Sequence, residues 1–233
     1  MKLKLKTIDL FAGIGGIRKG FEKAGFETVY AADIDPHCKI TYDLNFKKVP
    51  LALEDVAQLN PAALPDFDLL LGGFPCQSFS VAGEKRGFKD KGRGDLFFDI
   101  IKILKARKPR AVFLENVRNL EKHDHGRTLV IIKEQLEKLG YKPIRFIVLN
   151  SADYGNVPQS RERIYIVGFR DEFARNAFKF PEKKLLKRTI ADILEESVPE
   201  QYYYRKGWLY DRIKNASMKK DIVYHWRRVY LRE

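Results

Sequence analysis

The sequence predicts an α/β protein with an open, mainly parallel sheet, and three observations predict it. Short apolar runs such as "DFDLLLGG" and "RAVFLEN" read as strands buried on both faces. Helical patterns such as "LFFDIIKILKARK" and "TLVIIKEQLEKLG" alternate with them. Glycine-rich or chemically loaded turns follow the strands, at the rim where ligands bind in open α/β sheets.

"KTIDLF" is the first strand and runs into "AGIGG"; "IRKGFEKAG" then carries a helical pattern with apolar Ile17, Phe21 and Ala24. "ETVYAAD" is a second strand, and "PHCKITYDLNF" opens a helix on proline, whose missing N–H is no loss there. "DFDLLLGG", the third strand, leads into the polar stretch "FPCQSFSVAGEKRGFKDKGRGD". The helix "LFFDIIKILKARK" is closed by Pro109, and "RAVFLEN" is the fourth strand. "TLVIIKEQLEKLG" is a helix stopped at Gly140. "KPIRFIVLN" and "RIYIVGF" are two further strands joined by the loop "SADYGNVPQSRE" without a helix, as an antiparallel edge pair would be. Composition shifts after about Phe180, so residues 1–180 read as one domain and 181–233 as a linker and the start of another region. That region is expected to hold one short helix, capped by Thr189 with Asp192 three residues on, and a final strand in "DIVYHWRRVYLRE".

Composition narrows the function classes. With 44 Lys+Arg against 31 Asp+Glu, the formal net charge of +13 favours an anionic partner, nucleic acid first; a lysine-rich solvated surface is the plainer alternative. Two cysteines, Cys38 and Cys76, make no disulfide framework and fit a reducing cytoplasm. The N-terminus lacks the apolar core of a signal peptide, and no stretch approaches the ~20 apolar residues of a membrane span.

Asp9 and Phe11 lie at the end of the first strand, Asp33 at the end of the second, Cys76 after the third and Glu115 at the end of the fourth. The turn "DLFAGIGG" lets the backbone approach a ligand, and Asp33, 20 residues after Gly13, is spaced to take ribose hydroxyls. Arg18 stands at the third glycine position of a dinucleotide fingerprint, so that fingerprint fails, and a tight turn of any α/β protein is the plain reading. Cys76 in "PCQS" reads either as a nucleophile, with Lys85, Arg86 and Arg93 near in sequence to favour its thiolate, or as an inert thiol. A metal site is not expected: no cysteine is paired, and His123 and His125 stand outside usual ligand spacing. Cys38 falls in a helical pattern and reads as core. Glu115, partly desolvated, could hold a proton for a ring nitrogen or pair with an arginine; Arg161 and Arg163 could contact phosphate or base, or make ion pairs.

"DLFAGIGG", "GGFPCQSFS", "ENV" and "QSRERIY", in this order over roughly residues 5–180, resemble the DNA (cytosine-5) methyltransferases. The resemblance implies a Rossmann-like S-adenosylmethionine-dependent methyltransferase fold with a mainly parallel sheet and an antiparallel edge strand. It implies methyl transfer to carbon 5 of cytosine in a specific sequence of double-stranded DNA, as the modification enzyme of a prokaryotic, cytoplasmic restriction-modification system. Cys76 matches the nucleophile that adds to carbon 6, Glu115 the residue at N3 and the exocyclic amine, and Asn116 a residue holding that loop. Arg163, with Arg161, would orient the base and the thiol region. For S-adenosylmethionine, Phe11, Gly13, Ile14 and Gly15 line the turn; Asp33 takes the ribose, Ile34 packs on adenine, and Asp55 with Val56 reads its amino group. Pro75 and Leu96 close the pocket, and the loop from Ser78 to Arg93 is a candidate to close over a flipped base.

The family normally continues into a target-recognition region and a final Gly-Asn motif that returns to the cofactor site, and no such Gly-Asn follows Phe180. The expectation is therefore either half of a split enzyme or a truncated product, a chain that needs a complementary C-terminal polypeptide and self-associates when isolated. An inactive DNA- or cofactor-binding relic and a transfer-RNA cytosine-5 methyltransferase are the alternatives.

Overall fold

The computed structural model describes residues 4–75, 96–202, 211, 225–227 and 230–232. Lys6–Leu10 (β1), Glu27–Asp33 (β2), Ala52–Leu53 (β3), Leu69–Gly72 (β4), Ala111–Val117 (β5), Arg145–Asn150 (β6) and Glu162–Phe169 (β7) form one sheet in the order β3-β2-β1-β4-β5-β7-β6. β1 runs parallel to β2 and β4, β2 to β3, and β4 to β5. β7 is antiparallel to β5, so the predicted mainly parallel sheet with antiparallel character toward one edge is what forms. All four residues of β4 are buried, which is why its run is continuously apolar rather than alternating.

Chain order leaves β1 toward β3 on one side and resumes at β4 on the other, so the sheet's switch point lies between β1 and β4. Gly16–Lys23 (α1) and Pro36–Asn45 (α2) connect the first three strands; Leu96–Arg107 (α3) precedes β5, and Arg127–Lys138 (α4) follows it. Right-handed crossovers place these two pairs on opposite faces of the sheet. The packing agrees: Phe97, Ile100 and Leu104 of α3 share a large core with Leu70 and Leu114, whereas Tyr42 and Phe46 form a smaller cluster with Ala31 and Leu51. Pro36 starts α2 behind Asp35, whose Oδ1 accepts the His37 N–H at 2.8 Å.

Three local expectations change. The buried residue of α1 is Arg18, not one of the apolar Ile17, Phe21 and Ala24. The connection between β6 and β7 is not all loop. It contains the one-turn helix Ser151–Gly155 (α5), because the Asn150 side chain caps it by accepting the Ala152 N–H at 3.1 Å. The expected helix near residue 190 is only the 3₁₀ turn Ala191–Ile193, and Thr189 does not cap it with its oxygen. Its backbone N–H and hydroxyl both donate to Asp192 Oδ2, at 2.7 and 3.0 Å.

The chain divides into two compact units, Met1–Leu149 with Glu162–Pro181, and Asn150–Arg161 with Glu182–Glu233. The first contains the sheet. In the second, Asn156 accepts the backbone N–H groups of Lys187 (2.8 Å) and Arg188 (3.2 Å), which ties the α5 turn to the later segment. The end of the second unit carries a small antiparallel hairpin, His225–Arg227 (β8) with Tyr230–Arg232 (β9).

Candidate active site

The rim at the carboxyl ends of β1, β2, β4 and β5 is wired by backbone-to-side-chain hydrogen bonds. Asp33 ends β2, and its Oδ2 accepts the Gly13 N–H at 2.8 Å while Oδ1 accepts the Asp35 N–H at 3.0 Å. A carboxylate has about four acceptor sites, so two backbone donors fix its orientation and leave room for hydroxyls. Phe11 sits at φ 56°, a strained conformation for a bulky residue, and Gly13 and Gly15 also have positive φ (54° and 88°). Gly15 has a second reason to be glycine: a Cβ there would be pressed into the Phe46 ring. Ile34, next to Asp33 in sequence, is 67% exposed, open to pack against a planar ligand.

Asp55 caps the next turn, accepting the Ala57 N–H at 2.9 Å, while Val56 is 3% exposed and joins the core. Pro75 is exposed and Leu96 is half-buried at the start of α3. Cys76 and the loop 78–93 lie outside the described residues.

At the head of β5 the side chains alternate. Asn116 is buried, and its Nδ2 donates to the Phe74 carbonyl at 2.9 Å, two residues before Cys76 in sequence. Glu115 faces the other way; its Oε1 pairs with Arg163 Nε at 2.9 Å, both side chains about one-fifth exposed. The β5–β7 register, Glu115 opposite Tyr165 and Val117 opposite Arg163, brings that pair together. Gly73 lies beside this pair: a Cβ there would meet Glu115 Oε2 at 3.6 Å and the Phe11 carbonyl at 3.7 Å, ordinary van der Waals contacts. Arg161 belongs to the second unit and is exposed, its backbone N–H donating to Asn150 Oδ1 at 3.2 Å. Glu162, between the two arginines, is engaged by Arg118 at 2.5 and 2.7 Å.

A cavity of about 550 Å³ opens from this rim along α1, reaching from Phe11, Gly73 and Glu115 down to Phe21, Phe113 and Tyr165. A second, of about 330 Å³, continues past Phe21 and Phe113 to Val167 and Phe169.

Two residues at the site carried no sequence signal for what they do. Arg18, 3% exposed, donates from Nη1 to the Tyr42 hydroxyl (2.8 Å) and the Val49 carbonyl (2.7 Å) and from Nε to Glu22 (2.8 Å), and lies 4.2 Å from the Phe46 ring centroid. It clamps α1 to α2 behind the glycine turn. Asp9 is fully buried under that turn. Cys38 is half-buried, its thiol pushed up by burial and by its contact to Asp35 (3.5 Å), as expected of an unreactive thiol.

A family model for C-5 cytosine-specific DNA methylases matches residues 5–231. The chain belongs to that family. It is 46% identical over 234 residues to the type II methyltransferase M.Bsp6I of Bacillus sp. (strain RFL6), covering 98% of this chain and 74% of that protein. It is 48% identical over 202 residues to M.DsaV of Dactylococcopsis salina, covering 86% of this chain and 56% of that protein. The chain thus spans between about half and three-quarters of the length of these curated relatives. In fold it resembles the S. pombe Dnmt2 methyltransferase, with a TM-score of 0.66 at 21% identity over 90% of this chain and 65% of that one. Among the described residues of this family member, no helix is long and apolar enough to cross a membrane.

Proposed function

We propose that this chain is the catalytic part of a DNA cytosine-5 methyltransferase of a restriction-modification system, acting with a complementary C-terminal polypeptide. The observation that carries the reading is the head of β5. There Asn116 holds the Phe74 carbonyl at the entry to the Cys76 segment, while Glu115, braced by Arg163, faces the rim cavity.

Cytosine carbon 5 is a poor nucleophile in an aromatic ring. Cys76 as thiolate adds to carbon 6, which makes carbon 5 enamine-like, and Glu115 at N3 and the exocyclic amine steadies the charge that develops. Loss of the carbon 5 proton and expulsion of the cysteine complete the cycle. The target base must leave the stack to be reached, and basic residues of the 78–93 loop and of the wider +13 surface suit phosphate contact. S-adenosylmethionine, when bound, supplies the methyl group. The residues present fit it: Asp33 keeps acceptor capacity beyond its two backbone bonds, the turn from Phe11 to Gly15 is open, and Ile34 is exposed. Asp55 and Leu96 would hold the adenine end.

The complementary polypeptide is supported by the apolar trough along α1 and the β5–β7 face, where Phe113, Tyr165 and Phe169 are only half-buried. The test is transfer of labelled methyl from S-adenosylmethionine to DNA by the chain alone and mixed with a polypeptide carrying the region its relatives have in addition. Expected is transfer only in the mixture, lost in Cys76→Ser, with a covalent adduct on 5-fluorocytosine DNA. Transfer by the isolated chain to a defined site would remove the partner; transfer to RNA and not DNA would change the substrate.

A further inference from the structure

The turn rests on a carboxyl that the methyl-transfer chemistry does not use. Asp9 is the penultimate residue of β1, 0% exposed, and neither of its oxygens has a hydrogen-bond partner among the described residues. Its Cα neighbours across the sheet are Ala31 and Leu71, which offer it no side-chain donor. The charged and titratable groups facing it are Arg18 from α1, Asp33 from β2 and Tyr42 from α2. Arg18 directs its backbone N–H toward the carboxyl without reaching hydrogen-bond geometry, and its guanidinium is occupied by Glu22, Tyr42 and Val49. Burial therefore outweighs the help Arg18 gives, and with Asp33's charge opposing ionisation it pushes the Asp9 carboxyl up to about 7.

We propose that Asp9 is a proton-releasing positioning residue that makes binding of a cationic cofactor at the glycine turn, and not of its uncharged thioether product, tighten as pH rises. The inference rests on reading the turn from Phe11 to Gly15 as the S-adenosylmethionine site. Asp33, which accepts the Gly13 N–H, is the electrostatic link between the turn and Asp9. In a buried site a charge acts over a greater distance than in water. A sulfonium cation held at the turn favours ionised Asp9, so the O–H bond of the carboxylic acid breaks and its proton passes to solvent. S-adenosylhomocysteine has lost the sulfonium charge and gives Asp9 no such reason to ionise. After transfer the sulfonium charge is gone, and Asp9 regains its proton from solvent.

Calorimetric titration of the chain with S-adenosylmethionine and with S-adenosylhomocysteine, at pH 6 and pH 8 and in two buffers of different protonation enthalpy, tests this. Expected is net proton release on binding the cofactor near pH 6.5 and a cofactor Kd about fivefold tighter at pH 8 than at pH 6. For the product the change is expected to be under about twofold, and Asp9→Asn should remove the cofactor's extra pH dependence. Equal pH slopes for the two ligands, or the same cofactor slope in Asp9→Asn as in the parent chain, overturns the proposal. If the variant does not fold, the parent chain's proton count decides, and zero release overturns it. Failure of both ligands to bind overturns the site assignment and this proposal with it.

Discussion

Gly15 carries two constraints at once, and they can be separated by substitution. Its φ of 88° disfavours any side chain, and the Phe46 ring, held against Arg18, fills the space a Cβ would need. Gly13 has the first constraint only: its φ is 54°, and nothing lies within 4 Å of an added Cβ. Gly13→Ala is therefore expected to cost about 1 kcal/mol, the left-handed backbone penalty alone. Gly15→Ala is expected to cost about 2–5 kcal/mol, since overpacking adds to it. Urea unfolding of the two variants checks this, and equal costs would mean that the Arg18–Phe46 packing does not brace the turn. At this scale the sequence was legible where a residue's placement on the rim follows from its position at a strand end. Asp33, Glu115 and Asn116 belong to that group. The burial of Arg18 and Asp9 was not legible, because no local pattern says that a charged side chain will be buried. The packing of α1 on α2 and on the segment after it decides it, through contacts 24 and 31 positions apart.

Among the elements, β7 brings the most to the site. It inserts between β5 and β6 and carries Arg163 to Glu115, a contact set by register rather than by sequence proximity. Alternation and the missing crossover helix made the edge pair readable. The order β5-β7-β6 was not, since it depends on which strand the chain lays down beside β5. α5 was missed for a smaller reason: five residues are too few to show a helical period, and only the Asn150 cap marks it. The insertion of β7 leaves one tight point. Gly168 pairs with Val112, and a Cβ on it would lie 2.5 Å from Ile144 Cδ1 and 2.9 Å from Tyr141 Cβ. Tyr141 is itself pinned, its hydroxyl donating to the Pro109 carbonyl at 2.9 Å. Gly168→Ala is therefore expected to destabilise by about 1–3 kcal/mol. Because the displaced strand is the one that bears Arg163, methyl transfer by the mixture with the complementary polypeptide should fall more steeply than the unfolded fraction accounts for. A loss of activity that tracks stability alone would show that β7 is a passive edge.

For the molecule as a whole, one buried carboxyl sets the pH dependence of folding in a defined window. Asp9 is raised from 3.8 to about 7 in the folded chain, chiefly by burial. Between those values the folded state holds a proton that the unfolded state has released, so stability falls as pH rises from about 4 to about 7 and levels off above. Asp35, Asp43, Asp171 and Asp192 are lowered by the backbone N–H groups and side chains that donate to them, so their contributions are lost only below the ordinary carboxylate range, outside this window. Asp99, raised by burial, slopes in the same direction as Asp9 and survives its removal. With a limiting slope of about 1.4 kcal/mol per pH unit acting up to about pH 7, the parent chain should be less stable at pH 8 than at pH 5 by up to about 3 kcal/mol. Asp9→Asn should lose most of that difference, measured as the shift in urea midpoint between the two pH values. A parent chain equally stable at both would mean that Asp9 is ionised in the fold, and that Arg18 compensates it more strongly than its hydrogen bonds to Glu22, Tyr42 and Val49 imply. The direction of this slope also links folding to the ligand: a cation bound at the turn would stabilise the ionised form of Asp9 and restore stability most above pH 7, where the empty fold is weakest.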